Sequence, residues 1–500
     1  MNKIKYILVF SLLLCGGTCF SQVWDQKGST IQGESAKSLS GNSVSLSADG
    51  NRIAIGARHN TNASGISAGH TRVYEWNGSS WTQLGNDIDG EAEGDLSGRV
   101  VSISHDGNFV AIGAYRNDGN GNRSGHVRIY NWNGSSWNQM GADIDGEYAN
   151  DNSSQSGGGV VSWNRARGMS LCGNGNRVAI GSWRNDDGGN NAGHVRVFEW
   201  NGNVWNQMGM DLDGANVGDG FGGSVSMNAN GDILVVGIPG DSTLAASGGA
   251  TEVYEWNGLN WIQKGTTLHG IYNMGELGAV VGSNDNGDII GTSAPGTNGS
   301  GISRGATYTY KWNGTAWYQL GNTIFGAIDG EALGRDFELS SDGETLIAAG
   351  SNSLPFEFKV FEYSSTNSLW TQKGNTIIDT LQIYEPGTHV SIDSSGNVVA
   401  CGSETGINGE GNTLIFEYND QSAGFEELES QLLVNIFPNP TSRYLYLSEN
   451  KGPLKYTIST IEGQNLSTGT YEGKIDLSNL KTGVYFINIG GYCQKVVKLK

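Results

Sequence analysis

Residues able to carry chemistry fall into three groups in this chain. The first is a set of acidic segments, Asp87-Ile88-Asp89-Gly90-Glu91, Asp143-Ile144-Asp145-Gly146-Glu147 and Asp211-Leu212-Asp213-Gly214. Carboxylates on alternate residues are the oxygen donors of calcium loops. Later in the chain the same positions hold Thr267/His269 and Thr323/Phe325, so the segments read as solvated turns. Any calcium role is local to them, and no other cofactor is expected. The second group is His70, His126 and His194, each at one repeated position after a glycine, which reads as packing at a strand start. The third comprises Trp163, Arg165 and Arg167, then Trp183, Arg184, Asp186 and Asp187. An aromatic ring beside Arg and Asp on a loop can stack a sugar and hydrogen-bond its hydroxyls, so these seven are the candidate ligand-binding residues. The sequence has no His-Glu-x-x-His, phosphate loop or Cys-x-x-Cys motif, and no catalytic residue or metal-ligand set is assigned.

The elements that must position these residues follow from an internal repeat. Trp-x-Gln-x-Gly recurs from Trp24, Trp81, Trp137, Trp205, Trp261, Trp317 and Trp370, and a turn glycine at Gly50, Gly107, Gly175, Gly231, Gly287, Gly343 and Gly396 keeps step. Within one unit, Ser43 to Ser47, Arg52 to Gly56, Thr71 to Trp76 and Trp81 to Leu84 read as strands, and Asn77-Gly78 supplies the positive φ of a tight hairpin. A four-stranded unit of this size cannot bury both faces alone, but seven arranged radially can. The fold class is therefore all-β, a seven-bladed β-propeller. The first Trp-x-Gln-x-Gly has no aromatic strand before it, and the last aromatic strand, Leu414 to Tyr418, has no Trp-x-Gln-x-Gly after it. Val23 to Lys27 is thus expected to close the ring on the seventh blade. The interval between Trp137 and Trp205 exceeds the others, which places an insertion near Ala149 to Arg167.

The chain has 500 residues, 78 of them glycine and 7 proline, a composition that suits short strands and tight turns. A net charge of -20 repels nucleic acid and anionic lipid surfaces, so neither is an expected partner. Met1 to Lys5 followed by an apolar run to Cys15 reads as a signal peptide over residues 1–21. A lipobox at Cys15 or Cys19 is the rival reading, which Leu14 and Thr18 fit poorly. No later run is long enough for a transmembrane helix. Cys172, Cys401 and Cys493 lack the spacing of a disulfide framework or metal site.

Phe221-Gly222-Gly223-Ser224-Val225-Ser226, Asn230-Gly231-Asp232-Ile233 and Gly249-Ala250-Thr251-Glu252-Val253-Tyr254 resemble an FG-GAP repeat of the integrin-α-like propellers, as do Leu96 to Ser102 and Ser293-Ala294-Pro295. Turns such as Ala48-Asp49-Gly50-Asn51 lack the Asp-x-Asp-x-Asp-Gly ladder of the calcium-binding members, which implies metal-free turns. The body is assigned to residues 22–424 and a polar linker to 425–431. Residues 432–500 read as a small Ig-like β-sandwich. There Phe437-Pro438-Asn439-Pro440, the strand Gly483-Val484-Tyr485-Phe486 and a lysine-rich terminus resemble the type A C-terminal sorting domain of the Bacteroidetes type IX secretion system. That resemblance implies two partners, an outer-membrane translocon and a sortase-like peptidase that removes the domain from a released or surface-displayed body. The expected function is glycan or protein binding at the cell surface. A structural surface component without a discrete ligand and a polysaccharide-active enzyme are the alternatives.

Overall fold

The computed structural model describes residues 23–155, 157, 167–299, 301–350, 356–379, 388–404, 409–420, 436–437, 439–447, 454–460, 465–489 and 492–500. The described residues divide into a large unit ending at Asp420 and a smaller one formed by the C-terminal strands. No helix among them is long and apolar enough to cross a membrane.

Seven antiparallel sheets make the large unit, and each is a blade. In blade one, Ser40–Leu46, Arg52–Ala57, His70–Trp76 and Trp81–Gln83 run from the innermost strand outward. A fifth strand, Ile88–Asp89, returns to pair with His70–Thr71. The acidic segments read as solvated turns are therefore part of the sheet: after the outer strand turns, two residues suffice to satisfy the free edge at the start of the third strand. Second strands such as Arg52–Ala57 are buried almost throughout, because both faces are covered by neighbouring blades. The hydrophobic cores lie between blades, as where Ala54 and Val73 of blade one meet Val101, Val110 and Ile112 of blade two.

Trp-x-Gln-x-Gly is the joint between blades. Trp76 and Trp81 face each other across their hairpin at 5.4 Å, and the other six blades repeat the pair, with tyrosine as one member in blades six and seven. Each second tryptophan donates its indole N–H to a carbonyl of the preceding blade: Trp81 to Lys27, Trp137 to Leu84, Trp205 to Met140, Trp261 to Met208, Trp317 to Lys264 and Trp370 to Leu320. Trp24 completes the circle by donating to Lys373 at 2.9 Å. The motif glycine sits under the next tryptophan pair: Gly85 has φ +77°, and a Cβ there would lie 2.7 Å from Trp132. As expected, Val23–Gln26 pairs antiparallel with Asn412–Asn419, setting Trp24 opposite Tyr418, and seals the ring.

A second circle lies at one end of the central channel. Ala48 N–H donates to the His105 carbonyl, His105 to Gly173, Gly173 to Ala229, Ala229 to Asp285, Asp285 to Ser341, Ser341 to Ser394, and Ser394 back to Ala48, over 2.8–3.3 Å.

The C-terminal unit has a three-stranded and a four-stranded sheet around Leu445, Leu447, Ile458, Ile475, Tyr485, Ile487 and Val496. Phe437 pairs with Tyr446. The Asn439 amide donates to the Lys495 carbonyl at 2.6 Å and accepts from Val497 N–H, so this part of the Pro-Asn-Pro segment ties down the terminal strand. Gly483–Ile489 pairs with Tyr492–Lys498, joining Val484 to Val497 and Phe486 to Lys495, while the buried Tyr485 hydroxyl donates to Lys481 O. Pro440 lies at the surface, and Pro438 falls outside the described residues.

Candidate functional site

The innermost strands line the channel with one repeated position: Ser45, Ser102, Ser170, Ser226, Gly282, Glu338 and Ser391. Their hydroxyls stitch blade to blade, Ser45 accepting from Ile103 N–H, Ser102 from Leu171, Ser170 from Met227, Ser226 from Ser283 and Ser391 from Leu46. Two residues earlier on the strand, Ser43 accepts from Val101 and Ser224 from Val281. In blade six a carboxylate takes that place, and Asp336 accepts from Val390 N–H at 3.0 Å. The channel encloses about 130 Å³, well under the ~300–1,000 Å³ of a typical small-molecule site.

Sevenfold regularity ends at the mouth opposite the backbone ring. Arg167, just before the inner strand of blade three, reaches Asp336 in blade six at 2.8 Å, lies 3.6 Å from Glu338 and donates to the Val390 carbonyl in blade seven at 2.7 Å. Its guanidinium thus spans from blade three to blades six and seven. Burial alone would raise the Asp336 carboxyl; Arg167 and His389, 3.5 Å away, outweigh it and hold the group below its usual range. Burial raises Glu338 and lowers His389. Next to this group, Arg58 of blade one and Glu404 of blade seven form a bidentate pair at 2.7 and 2.9 Å. Arg99 lies 4.0 Å from Glu404, its pKa lowered to about 10 by burial and by Arg58. Two arginine–carboxylate sets, with three guanidiniums and three carboxylates from five blades, thus lie side by side, and both act on the charge of His389.

The sequence candidates disperse around this mouth. Arg167 enters the first of these sets. Trp183 is half-buried at the blade-three position matching Arg58 and Glu404, with the Arg184 guanidinium 4.6 Å over its ring. Its indole N–H is buried and has no acceptor among the described residues. Gly157, on the flank of the insertion, is pressed against the ring with no room for a side chain, and its N–H donates to the Gly223 carbonyl of blade four. Asp186 caps its own loop by accepting from Asn191 N–H. Asp187 turns to a separate cluster around His194 and Asp213. Trp163 and Arg165 lie outside the described residues. Inspection of motifs passes over Arg99, Asp336, Glu338, His389 and Glu404. A column-by-column comparison of the seven units exposes them, since Glu338 stands in a column of serines and glycine.

Comparison with known proteins matches two segments to family models: residues 88–130 to the FG-GAP repeat and residues 435–499 to the secretion system C-terminal sorting domain. No curated protein is significantly similar to the chain in sequence. Among solved structures, the chain is similar to the GH74 xyloglucanase from Xanthomonas campestris, at 11% identity over 85% of this chain and 59% of that one, with a TM-score of 0.45. It is also similar to the periplasmic gluconolactonase of Pseudomonas aeruginosa, at 13% identity over 67% and 84%, TM-score 0.42. A third is the β-propeller domain of the Trilobed protease from Pyrococcus furiosus, at 8% identity over 80% and 97%, TM-score 0.42. The chain is a seven-bladed propeller carrying an FG-GAP repeat and ending in a sorting domain that directs it through type IX secretion to the cell surface or beyond.

Proposed function

We propose that the exported propeller is a binding protein that holds a glycan at the mouth of its channel, beside blade three. The observation that carries this reading is the break in the repeat: Trp183, backed by Arg184 and pressed by Gly157, occupies a position filled by Pro239 and Pro295 in blades four and five. An indole with a guanidinium at its face is a platform for a sugar ring. The paired arginines and carboxylates keep the floor of the mouth rigid, which lowers the entropy lost on binding. The sorting domain docks on the secretion translocon, and cleavage in residues 425–431 by a sortase-like peptidase releases the body or leaves it displayed. A glycan array probed with the full chain tests the reading. Binding that is lost in Trp183→Ala and on deleting residues 156–166 is the expected result. Retention of a protein ligand instead would place recognition in the protein-binding class, and release of new reducing ends from a polysaccharide would replace binding with catalysis.

A further inference from the structure

Blades one to three share a constellation that the other four lack. His70, His126 and His194 start the third strands, where blades four to seven have Ala250, Ala306, Phe356 and Asn412. The same three blades place Asp87, Asp143 and Asp211 four residues after the motif glutamine, where the others use Thr267, Thr323, Thr376 and Thr30. In every blade that side chain accepts from the glutamine amide, so threonine meets the need of the turn and the carboxylate serves the histidine. In blades one and two the service is plain: His70 lies 3.2 Å from Asp87, and His126 lies 3.3 Å from Asp143.

Blade three departs. His194 is fully buried and its nearest carboxylate is Glu147 at 3.6 Å; as at His70, neither ring nitrogen makes a hydrogen bond among the described residues, so what sets blade three apart is the carboxylates around the ring. Four carboxylates surround it, since Glu147 and Asp211 have ligand atoms within 4.8 Å of one another and of the imidazole, as do Asp187 and Asp213. Asp187 is the decisive difference. At its place in blade one, Asn62 donates its amide to Asp89, the counterpart of Asp213, at 3.1 Å. Blade three thus sets carboxylate against carboxylate where blade one sets amide against carboxylate. The cation at this junction is Arg196, which is 3.6 Å from Glu147 and donates to the Asp145 carbonyl.

We propose that Asp187, His194 and Asp213 bind one divalent cation of borderline softness, of which Zn²⁺ is the type. An imidazole nitrogen with two carboxylate oxygens is a zinc-like donor set, and calcium has no use for the nitrogen. Glu147, on the imidazole Nδ1 side, orients the ring. Asp187 and Asp213 are exposed, which leaves an entry path from solvent.

The test is titration of the chelator-treated full chain with ZnCl2, followed by calorimetry and thermal melting. Wild type takes up one equivalent and melts at higher temperature with Zn²⁺ than without. Both effects are lost in His194→Ala, a change that Ala250 and Ala306 show this position tolerates, and in Asp187→Asn at an exposed site where folding is not at risk. His126→Ala, which removes the matching imidazole of blade two, keeps both. Absence of saturable Zn²⁺ uptake, or equal uptake by wild type and Asp187→Asn, overturns the proposal. So does an equal melting shift with CaCl2 that survives in His194→Ala.

Discussion

Arg167 and Asp336 are 169 positions apart in sequence and 2.8 Å apart in space. Removing one member of a buried charged pair strands the other, at a cost of about 3–5 kcal/mol, so Asp336→Ala should be markedly less stable at neutral pH. The sign of the acid response follows from the depressed carboxyl. A group that binds its proton less readily folded than unfolded stabilises the protein above its unfolded pKa, near ~3.9, and that stability is lost as pH falls through the folded value. Thermal melts from neutral to strongly acidic pH should therefore show wild type losing stability steeply below about pH 4, whereas Asp336→Asn starts lower and falls less. Parallel slopes would mean that the pair is not what the acid breaks. This scale was the least legible in the sequence. Trp183 and Asp187 stand out because the repeat breaks around them, but nothing in an isolated Arg-Gly or Arg-Asp dipeptide says that blades three and six will bring them together.

Beside the cores and serine bonds between blades, one motif recurs at every joint, and its three named residues do different jobs there. The cross-strand aromatic pair could be read from Trp76, Asn77-Gly78 and Trp81, since hairpin turn chemistry fixes who faces whom. The destination of the indole N–H could not, because a backbone carbonyl in another blade has no sequence identity. The fifth strand was missed for a related reason: two residues are too few to carry a period. Trp137→Phe keeps the packing and deletes the bond to Leu84, a loss of ~0.5–1.5 kcal/mol. Gly85→Ala does more, adding about 1–2 kcal/mol for the left-handed backbone to a collision with Trp132. A lower melting temperature in both variants, with the alanine variant lower than the phenylalanine one, is the expected order. The reverse order would show that the glycine is not the spacer between blades.

At the scale of the molecule, seven near-identical joints make a ring only because the first and last strands meet. Holding strands almost 400 residues apart costs about 5 kcal/mol in loop-closure entropy, set against the Trp24 side chain, only 5% exposed, its bond to Lys373 and a four-residue ladder. Deleting residues 22–28 should lower the melting temperature and leave Asn412–Asn419 as a bare edge, visible as protease sensitivity or self-association in gel filtration. An unchanged melt would mean that the backbone circle and the remaining interblade cores suffice without the closing strand. The phase shift of the repeat made this closure readable in advance, and the family matches to residues 88–130 and 435–499 add the route out of the cell but not the ring. Closure also works as a test of completeness. The sorting domain is a separate unit in sequence, whereas blade seven forms only when the first residues after the expected leader and the last strand of the body are both present. A chain trimmed by a few residues at the front of its body keeps the sorting domain but has an open seam in blade seven.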